Sequence, residues 1–263
     1  MTQPASTRQV SPLVVRPAAN QDDGLRLSER ARLLELRYGA LDSRAVLDAA
    51  INDVFTGRIA VVSSFGTESA VLLDLVAQVN RHTPVIFLDS GKHFPETLAY
   101  RDSLIAKLGL TDVRNITPAA DDLDWADRDG TLFRRNPDLC CQLRKVLPLE
   151  RALSGFTAWI NGRKRFQGGN RRNIGLFEAA DSRIKVNPLA TWDTAALARA
   201  FIERDLPRHP LGRQGYPSVG CAPCTTQAEG DGSRSGRWAG SGKTECGIHK
   251  AAWASRGPAR GLG

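Results

Sequence analysis

Residues 58–66 read RIAVVSSFG, a short apolar run rich in β-branched residues that ends in a turn of serine and glycine. The same design returns at residues 84–91, PVIFLDSG, and a third such run lies at 111–118, TDVRNITP. Between the three runs lie two segments with helical periodicity, 69–79 and 95–110. Strands that alternate with helices at this spacing indicate βαβ units. This stretch therefore predicts an α/β fold built on a parallel sheet.

The rest of the chain extends this pattern on both sides. Amphipathic helical patterns precede it, and a helix that carries two adjacent cysteines is predicted over 138–153. Two more strand-like runs, FTAWINGR and RIKVNPL, and a helical run, TAALARAFIERDL, follow. From about residue 207, Gly, Pro, Ser and Arg dominate, which is typical of loops. We predict three parts, namely a disordered N-terminal tail (1–23), an α/β domain (24–206) and a loop-rich C-terminal segment (207–263).

The composition indicates the cellular compartment of the protein and the kind of partner that it binds. The 263 residues contain no apolar run of the ~20 residues that a membrane helix needs, and the N-terminus lacks the apolar stretch of a secretory signal. We therefore expect a cytoplasmic protein without a membrane partner. The formal net charge of +8 favours an anionic partner, either nucleic acid or a small nucleotide. For any single basic residue, solvated surface is the ordinary interpretation.

The five cysteines divide into two pairs and a single residue. Cys221 and Cys224 form a Cys-x-x-Cys turn, which by itself fits a metal site, a cluster or a redox dithiol. Cys140 and Cys141 are adjacent, and alone they also fit two buried structural cysteines. Neighbouring side chains on a helix diverge by about 100°, which disfavours a single tetrahedral zinc. Together, the two pairs fit the separate iron corners of a [4Fe–4S] cluster better.

Cys246 stands apart in KTECGIH, near the end of the sequence. A lone cysteine in a glycine-rich segment suits a nucleophile that moves between partners, and a nearby cation such as Lys243 would lower its pKa. The alternative is an unconstrained surface thiol. His249 either assists thiolate formation or has no role in proton transfer. Arg144 and Lys145 either offset the charge of a cluster or form an ordinary exposed basic pair.

The segment SSFGTES, residues 63–69, directly follows the first predicted strand and precedes a helix. Backbone N–H groups and hydroxyls at such a position bind anionic oxygens, and Gly66 permits a close approach of the backbone. The alternative is a plain connection with a serine cap. GSGKT at 240–244 resembles the end of a phosphate-binding P-loop, but Arg237 replaces the required first glycine and no apolar strand precedes it.

In this order, SSFGTES, LDSGKHFPET, CCQLRK, VGCAPCT and ECGIH resemble the assimilatory sulfonucleotide (adenylylsulfate and phosphoadenylylsulfate) reductases. The resemblance covers roughly residues 35–250, although LDSG stands where the family often has LDTG. It implies a Rossmann-like parallel sheet of the adenine nucleotide alpha hydrolase type, with a flexible C-terminal tail. It makes 24–206 the nucleotide-binding reductase domain. It also implies that Cys246 is the catalytic nucleophile and that a [4Fe–4S] cluster is held by Cys140, Cys141, Cys221 and Cys224.

The resemblance also implies a reaction, which is thioredoxin-dependent reduction of adenosine 5′-phosphosulfate to sulfite and AMP in sulfate assimilation and cysteine biosynthesis. An S-sulfonate on Cys246 is the expected intermediate, and thioredoxin or a similar dithiol protein is the expected donor. The cluster-bearing branch of the family typically uses this substrate, and the alternative is its 3′-phosphorylated analogue, alone or as a second substrate. The predicted substrate contacts are Ser63, Ser64, Phe65, Gly66, Leu88, Asp89, Lys145, Arg163, Arg165 and Arg237.

Two other classes compete with this interpretation. An ATP-dependent tRNA-thiolating enzyme would use SSFGTES and the positive charge, but it leaves ECGIH unexplained. An iron–sulfur or zinc sensor acting on DNA would need clustered base-reading residues, and we recognise none in the sequence. We therefore expect no nucleic-acid partner. Because the family commonly forms homo-oligomers, a homo-oligomeric state is left open.

Overall fold

The computed structural model describes residues 21–228, 234, 236–239 and 243–249, with side chains from residue 26 onward. Its strands are β1 (Ile59–Ser63), β2 (Val85–Leu88), β3 (Val113–Ile116), β4 (Ala158–Ile160), β5 (Phe177–Ala180) and β6 (Arg183–Val186). They form one sheet in the order β3-β2-β1-β4-β6-β5. The neighbours are parallel except for β5 and β6, which are antiparallel.

The helices α3 (Ser69–Val79) and α4 (Pro95–Leu108) connect the first three strands. Both β1 and β2 are buried along their whole length, as expected where helices cover both faces of a parallel sheet. Helix α4 begins with a proline in its first turn and ends at Gly109, whose φ of 62° suits a residue without a side chain. These short connections place β1, β2 and β3 side by side and in parallel.

Further helices surround the sheet. Helix α1 packs on the edge strand β5, where the ring centroids of Tyr38 and Phe177 lie 6.1 Å apart. π-helical turns occupy Ala49–Val54, after α2, and Gln142–Val146, between α7 and α8. The helices besides α3 and α4 are α1 (Gln21–Tyr38), α2 (Ser43–Asp48), α5 (Ala120–Ala126), α6 (Leu132–Arg135), α7 (Pro137–Cys141), α8 (Leu147–Ala152) and α9 (Thr194–Glu203).

Apolar residues cover the sheet on both faces. The larger cluster joins the sheet to α1, α2, α3, α4 and α9. A smaller cluster on the other face packs Leu149 and Leu153, from α8 and the residue after it, against Trp159 and β1 and β2. Helix α8 is therefore fixed to the sheet by apolar contacts.

The order of the strands creates a crevice at one edge of the sheet. After β3 the chain returns to the opposite side of β1 and continues in β4. The chain connections therefore diverge between β1 and β4, which are neighbours in the sheet. Open α/β sheets bind ligands at such a switch point, beyond the carboxyl ends of the strands. Residues 63–66 and 161–164 follow these two strand ends.

The predicted α/β fold with a parallel sheet is confirmed, and the predicted strand segments contain β1, β2, β3, β4 and β6. Strand β5 was not predicted. The helix predicted over 138–153 is not continuous, because the π-helical turn Gln142–Val146 interrupts it.

The division into three parts stays a prediction, and residues 1–20 of the predicted N-terminal tail lie outside the described residues. In the described part of 207–263 the helical structure is limited to 3₁₀ turns at Pro210–Gln214, Ala222–Cys224 and Gly247–His249. No helix in the described part of the chain is long and apolar enough to cross a membrane.

Candidate active site

An open cleft lies beyond the carboxyl ends of β1 and β4, with an empty volume of about 1030 Å³ that includes space continuous with solvent. The cleft brings together the larger part of the predicted substrate contacts. They are Ser63, Ser64, Gly66, Leu88, Lys145, Arg163 and Arg237.

The loop after β1 is held in one conformation by its own contacts. The Ser63 hydroxyl accepts a hydrogen bond from the backbone N–H of Phe65 at 3.2 Å. Phe65 has a φ of 48° and a fully buried ring, which packs edge-on against Phe87 at 5.6 Å. A side chain at Gly66 would meet the carbonyl oxygen of Val219 at 3.2 Å. The loop therefore turns the Phe65 ring into the core and presents its serines to the cleft.

Three predicted substrate contacts do not line the cleft with the others. Phe65 lies in the core, and the Asp89 carboxylate accepts a hydrogen bond from the backbone N–H of Gly91 at 3.0 Å. Arg165 is exposed, and its Nε donates to the carbonyl oxygen of Ile174 at 2.8 Å. Their assignment as substrate contacts stays a prediction.

The wall of the cleft is strongly positive. Its lining contains six basic side chains, Lys145, Arg163, Lys164, Arg171, Arg234 and Arg237, and one carboxylate, Glu68. Among the described residues, ion pairs join Arg163 to Glu178, Lys164 to Glu68, and both Arg171 and Arg234 to Glu245. None of these ion pairs includes Lys145 or Arg237. Their charges remain available to an anionic ligand.

Several residues that line the cleft were not predicted from the sequence, namely Asn161, Lys164, Gln167 and Arg171. They lie after β4, on the far side of the switch point from the SSFG loop. A second loop at the same strand edge was foreseeable from the predicted parallel sheet, together with the basic run at 163–165. Which side chains of that loop turn inward depends on tertiary contacts.

The two cysteine pairs lie close enough to influence one another. Cys221 begins the 3₁₀ turn that carries Cys224, and the backbone N–H of Cys224 donates to the Cys221 carbonyl at 3.0 Å. The Ser90 hydroxyl lies 3.2 Å from the Cys221 sulfur. Burial, followed by the charge of Cys221, raises the pKa of Cys140, at the end of α7, to about 11. Helix α7 and the Cys-x-x-Cys turn therefore face each other.

Buried cations surround these thiols. Burial alone would lower the pKa of Lys145, but the charges of Cys221, Cys246 and Cys141 hold it above its ordinary value. Lys243 donates to the Asp138 carboxylate at 2.5 Å and to the Cys141 sulfur. This arrangement reduces the cost of several thiolates in one place.

The donor set fits an iron–sulfur cluster in its chemistry, because thiolates are the ligands of such clusters and the cations offset their charge. Among the described residues, no group of three or more His, Cys, Asp or Glu side chains is arranged around a single ion. Cys140 interacts with the charges of Cys221 and Cys224, whereas Cys141 contacts Cys246. The assignment of the two cysteine pairs as cluster ligands stays a prediction.

Cys246 lies against Cys141 beside the cleft. A hydrogen bond from the Cys141 thiol lowers the pKa of Cys246 well below its ordinary value, and Lys145 and Arg237 act in the same direction. The same contact raises the pKa of Cys141. Lys243, the cation expected beside Cys246, instead contacts Cys141 and Asp138.

The segment around Cys246 is anchored on both sides. Glu245 pairs with Arg171 and, at 3.5 Å, with Arg234. The ring of His249 stacks on Trp159, with 5.9 Å between centroids and 12° between planes. Burial and the charge of Arg163 lower the pKa of His249 well below its ordinary value, so the imidazole is neutral. These contacts seat the segment 245–249 against the sheet edge.

The chain is similar to known proteins. The sequence profile described as phosphoadenosine phosphosulfate reductase domain matches residues 58–227. The chain belongs to this family. A Mesorhizobium japonicum relative named adenosine 5′-phosphosulfate reductase is 47% identical over 229 residues, which cover 87% of this chain and 89% of the relative. A Gloeobacter violaceus relative named phosphoadenosine 5′-phosphosulfate reductase is 41% identical over 225 residues, covering 82% and 92%.

Solved structures agree with this family assignment. The crystal structure of a phosphoadenylyl-sulfate reductase from Candida auris, a phosphate complex, superposes with a TM-score of 0.64 at 26% identity. The match covers 75% of this chain and 97% of that one. The resemblance to the sulfonucleotide reductases, and the α/β fold with a mostly parallel sheet that it implies, are confirmed.

Proposed function

We propose that this member of the phosphoadenosine phosphosulfate reductase family reduces adenosine 5′-phosphosulfate to sulfite and AMP in sulfate assimilation and cysteine biosynthesis. Cys246 is the nucleophile, and a dithiol protein such as thioredoxin is the reductant. The observation that carries the proposal is the position of Cys246 near Lys145 and Arg237, beside a cleft whose basic lining fits an anionic nucleotide.

In the first step, the Cys246 thiolate attacks the sulfur of the phosphosulfate group. A bond forms between the two sulfur atoms, the bond from sulfur to the bridging oxygen breaks, and AMP leaves with the electron pair. The enzyme then carries an S-sulfonate on Cys246. Lys145 and Arg237 oppose the repulsion between an anionic nucleophile and an anionic substrate, and they stabilise the charge that moves onto the leaving phosphate.

In the second step, a thiolate of the dithiol protein attacks the Cys246 sulfur, and sulfite leaves with the electron pair of the sulfur–sulfur bond. The second thiol of the donor then attacks the mixed disulfide and releases Cys246 as a thiolate. The donor is oxidised by two electrons, and the substrate sulfur is reduced from sulfate to sulfite. For this step segment 245–249 has to leave the sheet edge, because Cys246 is half-buried.

The nucleoside is proposed to lie over the strand ends, against Ser63, Ser64, Gly66 and Leu88. Backbone and hydroxyl groups there offer hydrogen bonds without adding charge, whereas Lys145 and Arg237 act on the charge of Cys246. The nucleotide would thus span the cleft, with its adenosine at β1 and its phosphosulfate toward the thiols. The switch point between β1 and β4 favours this orientation.

We further propose that Cys140, Cys141, Cys221 and Cys224 hold a [4Fe–4S] cluster. When bound, the cluster would supply a fixed charge beside Lys145, while the dithiol donor provides both electrons. Iron and sulfide analysis of anaerobically purified protein should give about four of each per chain. Cys224→Ser should lose most of that iron. A full iron content in Cys224→Ser would contradict the ligand assignment.

The proposed substrate is adenosine 5′-phosphosulfate, since both cysteine pairs of the cluster-bearing branch are present. The Mesorhizobium japonicum relative is named for this nucleotide, which lacks a 3′-phosphate. The 3′-phosphorylated analogue remains the second candidate because the 41% identical relative from Gloeobacter violaceus is named for it. A direct comparison of the two nucleotides decides between them.

The decisive experiment is intact-protein mass spectrometry of the reduced, iron-loaded protein mixed with either nucleotide, without a dithiol donor. Gain of one sulfonate on the peptide that contains Cys246, with adenosine 5′-phosphosulfate preferred, would support the proposal. Preference for the analogue would keep the mechanism and reverse the substrate. No adduct with either nucleotide would overturn the proposed function.

A further inference from the structure

A buried polar network lies directly beyond the end of β4. Asn161 is 3% exposed and lines the cleft, and its backbone N–H donates to the Val186 carbonyl at 3.0 Å, which continues the ladder of the sheet. Arg163 Nη2 bonds the Glu178 carboxylate, and it donates to the Asn187 side-chain oxygen at 3.1 Å. Both Glu178 and Asn187 come from the neighbouring β5–β6 region. Arg163 is therefore held by the sheet.

The orientation of the Asn161 amide follows from its partners. Its oxygen Oδ1 accepts from the backbone N–H of Arg163 at 3.2 Å and from Arg163 Nε at 3.1 Å. Both partners are donors only, so the oxygen must face Arg163 and the nitrogen must face away. That nitrogen, Nδ2, is buried and has no hydrogen-bond partner among the described residues. A buried unsatisfied donor is costly, so such a group at a site points to a ligand.

The surroundings of Asn161 indicate the kind of acceptor. Residues two apart on an extended strand share a face, so Asn161 projects to the side of the sheet on which Trp159 carries the His249 ring. Burial and the positive charges of Arg163, Arg171, Lys185 and Arg234 lower the pKa of that imidazole. A field of this sign suits an anionic oxygen better than a base or a ribose hydroxyl.

We propose that Asn161 Nδ2 donates a hydrogen bond to an oxygen of the 5′-phosphate of the bound nucleotide, and that Arg163 positions Asn161 rather than contacting the anion. This inference rests on the proposed function. The Asn161 amide directs its NH₂ group, which carries two donor hydrogens, in a fixed direction, because Arg163 occupies its oxygen. The positive charge of Arg163 is in turn matched by Glu178.

The first test measures binding of AMP and of adenosine to the iron-loaded protein by calorimetry. Asn161→Leu removes the donor and should weaken AMP binding about 10- to 100-fold, the range for hydrogen bonds to charged groups. Asn161→Asp keeps the acceptor for Arg163 but turns the donor into a carboxylate oxygen, and it should weaken AMP binding more. Adenosine, which lacks the phosphate, should bind both variants as it binds the wild type.

The matched control is Asn170→Asp, the same change of charge at an exposed residue that does not line the cleft. It should leave the AMP affinity within about twofold of the wild type, because an exposed charge is screened by solvent. An equal loss in Asn161→Asp and Asn170→Asp would reduce the effect to overall charge and overturn the inference. So would unchanged AMP binding in Asn161→Leu, or an equal loss for AMP and adenosine.

The second test separates positioning from direct contact. Arg163→Lys keeps the charge but loses the fork that holds the Asn161 oxygen. If Arg163 positions Asn161, the affinity for AMP should fall as in Asn161→Leu, and the double variant should be no worse than either single one. Near-normal binding in Arg163→Lys, or additive losses, would assign Arg163 to the anion instead.

Different results would overturn the proposed function and the role inferred for Asn161. Wild-type protein that binds neither AMP nor adenosine would overturn the proposed function and this inference together. Wild-type binding of AMP with unaffected Asn161 variants would overturn this inference alone.

Discussion

Two parts of the candidate site are held together by different forces. The strand wall, formed by Ser63, Ser64, Gly66 and Leu88, lines the cleft and rests on β1 and β2, which are buried along their whole length. What we call the thiol wall consists of the five cysteines, which lie beside the cleft on short helices and 3₁₀ turns and on the segment 245–249. Ion pairs fix those turns, notably Arg144 with Asp127, Glu245 with Arg171 and Lys243 with Asp138.

This difference indicates which part of the site responds to pH and to salt. Apolar burial is non-directional and carries no charge, so the strand wall does not respond directly to pH. Ion pairs depend on the protonation of both partners and, where exposed, on salt. In the proposed mechanism, the wall that has to release Cys246 during turnover is thus the wall held by titratable groups. Each prediction below tests whether the two walls can be changed independently.

The largest effect is expected from a variant that removes the proposed nucleophile and leaves both walls in place. Cys246→Ser should reduce sulfite formation by about 10⁴-fold or more, as loss of a nucleophile does in other enzymes. The iron content and the affinity for AMP should match the wild type, because neither the proposed cluster ligands nor the strand wall changes. Steady-state sulfite release, iron analysis and calorimetry check these three quantities. Substantial turnover in Cys246→Ser would remove Cys246 from the mechanism.

The next largest effect, on the free energy of unfolding, is expected when the buried ion pair of the thiol wall is broken. Arg144 Nη2 lies 2.5 Å from the Asp127 carboxylate, and its Nη1 donates to the Ser90 carbonyl at 2.8 Å. Arg144→Met leaves Asp127 buried without its partner, which should lower the free energy of unfolding by about 3–5 kcal/mol. Urea unfolding measures the change.

The control for this prediction is Arg135→Met, which breaks the exposed ion pair with Asp129. Because solvent screens exposed pairs, the free energy of unfolding should stay essentially unchanged in Arg135→Met. Equal behaviour of the two variants would show that charge burial does not hold the thiol wall.

A change of similar size tests the strand wall. Phe87 is fully buried and packs against Phe65. Phe87→Ala should cost about 3–5 kcal/mol in the free energy of unfolding through lost burial and a cavity, with the same loss at pH 6 and pH 8. Leu36→Ala, at a 74% exposed position on α1, serves as the control and should leave stability nearly unchanged. A loss in Phe87→Ala that varies with pH would argue against an uncharged strand wall.

The smallest effect is expected for the pH dependence of the contacts that hold segment 245–249. Burial raises the pKa of Glu245, but the hydrogen bond and charge of Arg171, with Arg234, outweigh it and lower the pKa below 4.5. A lowered pKa in the folded state adds stability that is complete above pH 4.5 and disappears as the pH falls through the folded-state pKa. Glu245→Gln should therefore be less stable than the wild type at neutral pH, by about 1–3 kcal/mol.

This prediction is measured as the difference in Tm between wild type and Glu245→Gln from pH 7 down to pH 3. The difference should stay constant in the upper part of the range and shrink in the lower part. A difference that does not change with pH would mean that the Glu245 charge does not hold the tail.

The strands that carry the strand wall, and the grouping of the cysteines, could be predicted from the sequence, whereas strand β5 could not. The runs before SSFG and LDSG are apolar and β-branched, so local pattern sufficed to find β1 and β2. The rarity of cysteine likewise made the thiols easy to group. Strand β5 reads FEAA, which has little β-propensity, and it forms only by antiparallel pairing with β6.

Side-chain direction could not be predicted in the same way. Arg163, Lys164 and Arg165 are consecutive basic residues, yet the first two line the cleft and Arg165 is exposed. What separates them is the position of distant partners, such as Glu178 for Arg163 and Glu68 for Lys164. Asn161 gave no signal, because an asparagine after a strand is ordinary in a loop and only the tertiary fold leaves its nitrogen without a partner.

The π-helical turn Gln142–Val146 makes the length of this part of the chain critical. A π turn holds more residues than an α turn, and this one joins Cys140 and Cys141 to α8. Leu149 and Leu153 lock α8 to the sheet. Deleting one residue from the turn would rotate the cysteine pair about the helix axis by about 100°, away from the Cys-x-x-Cys turn. Surface loops absorb such deletions, whereas a deletion here would change the helical phase and turn Cys140 away from Cys221 and Cys224.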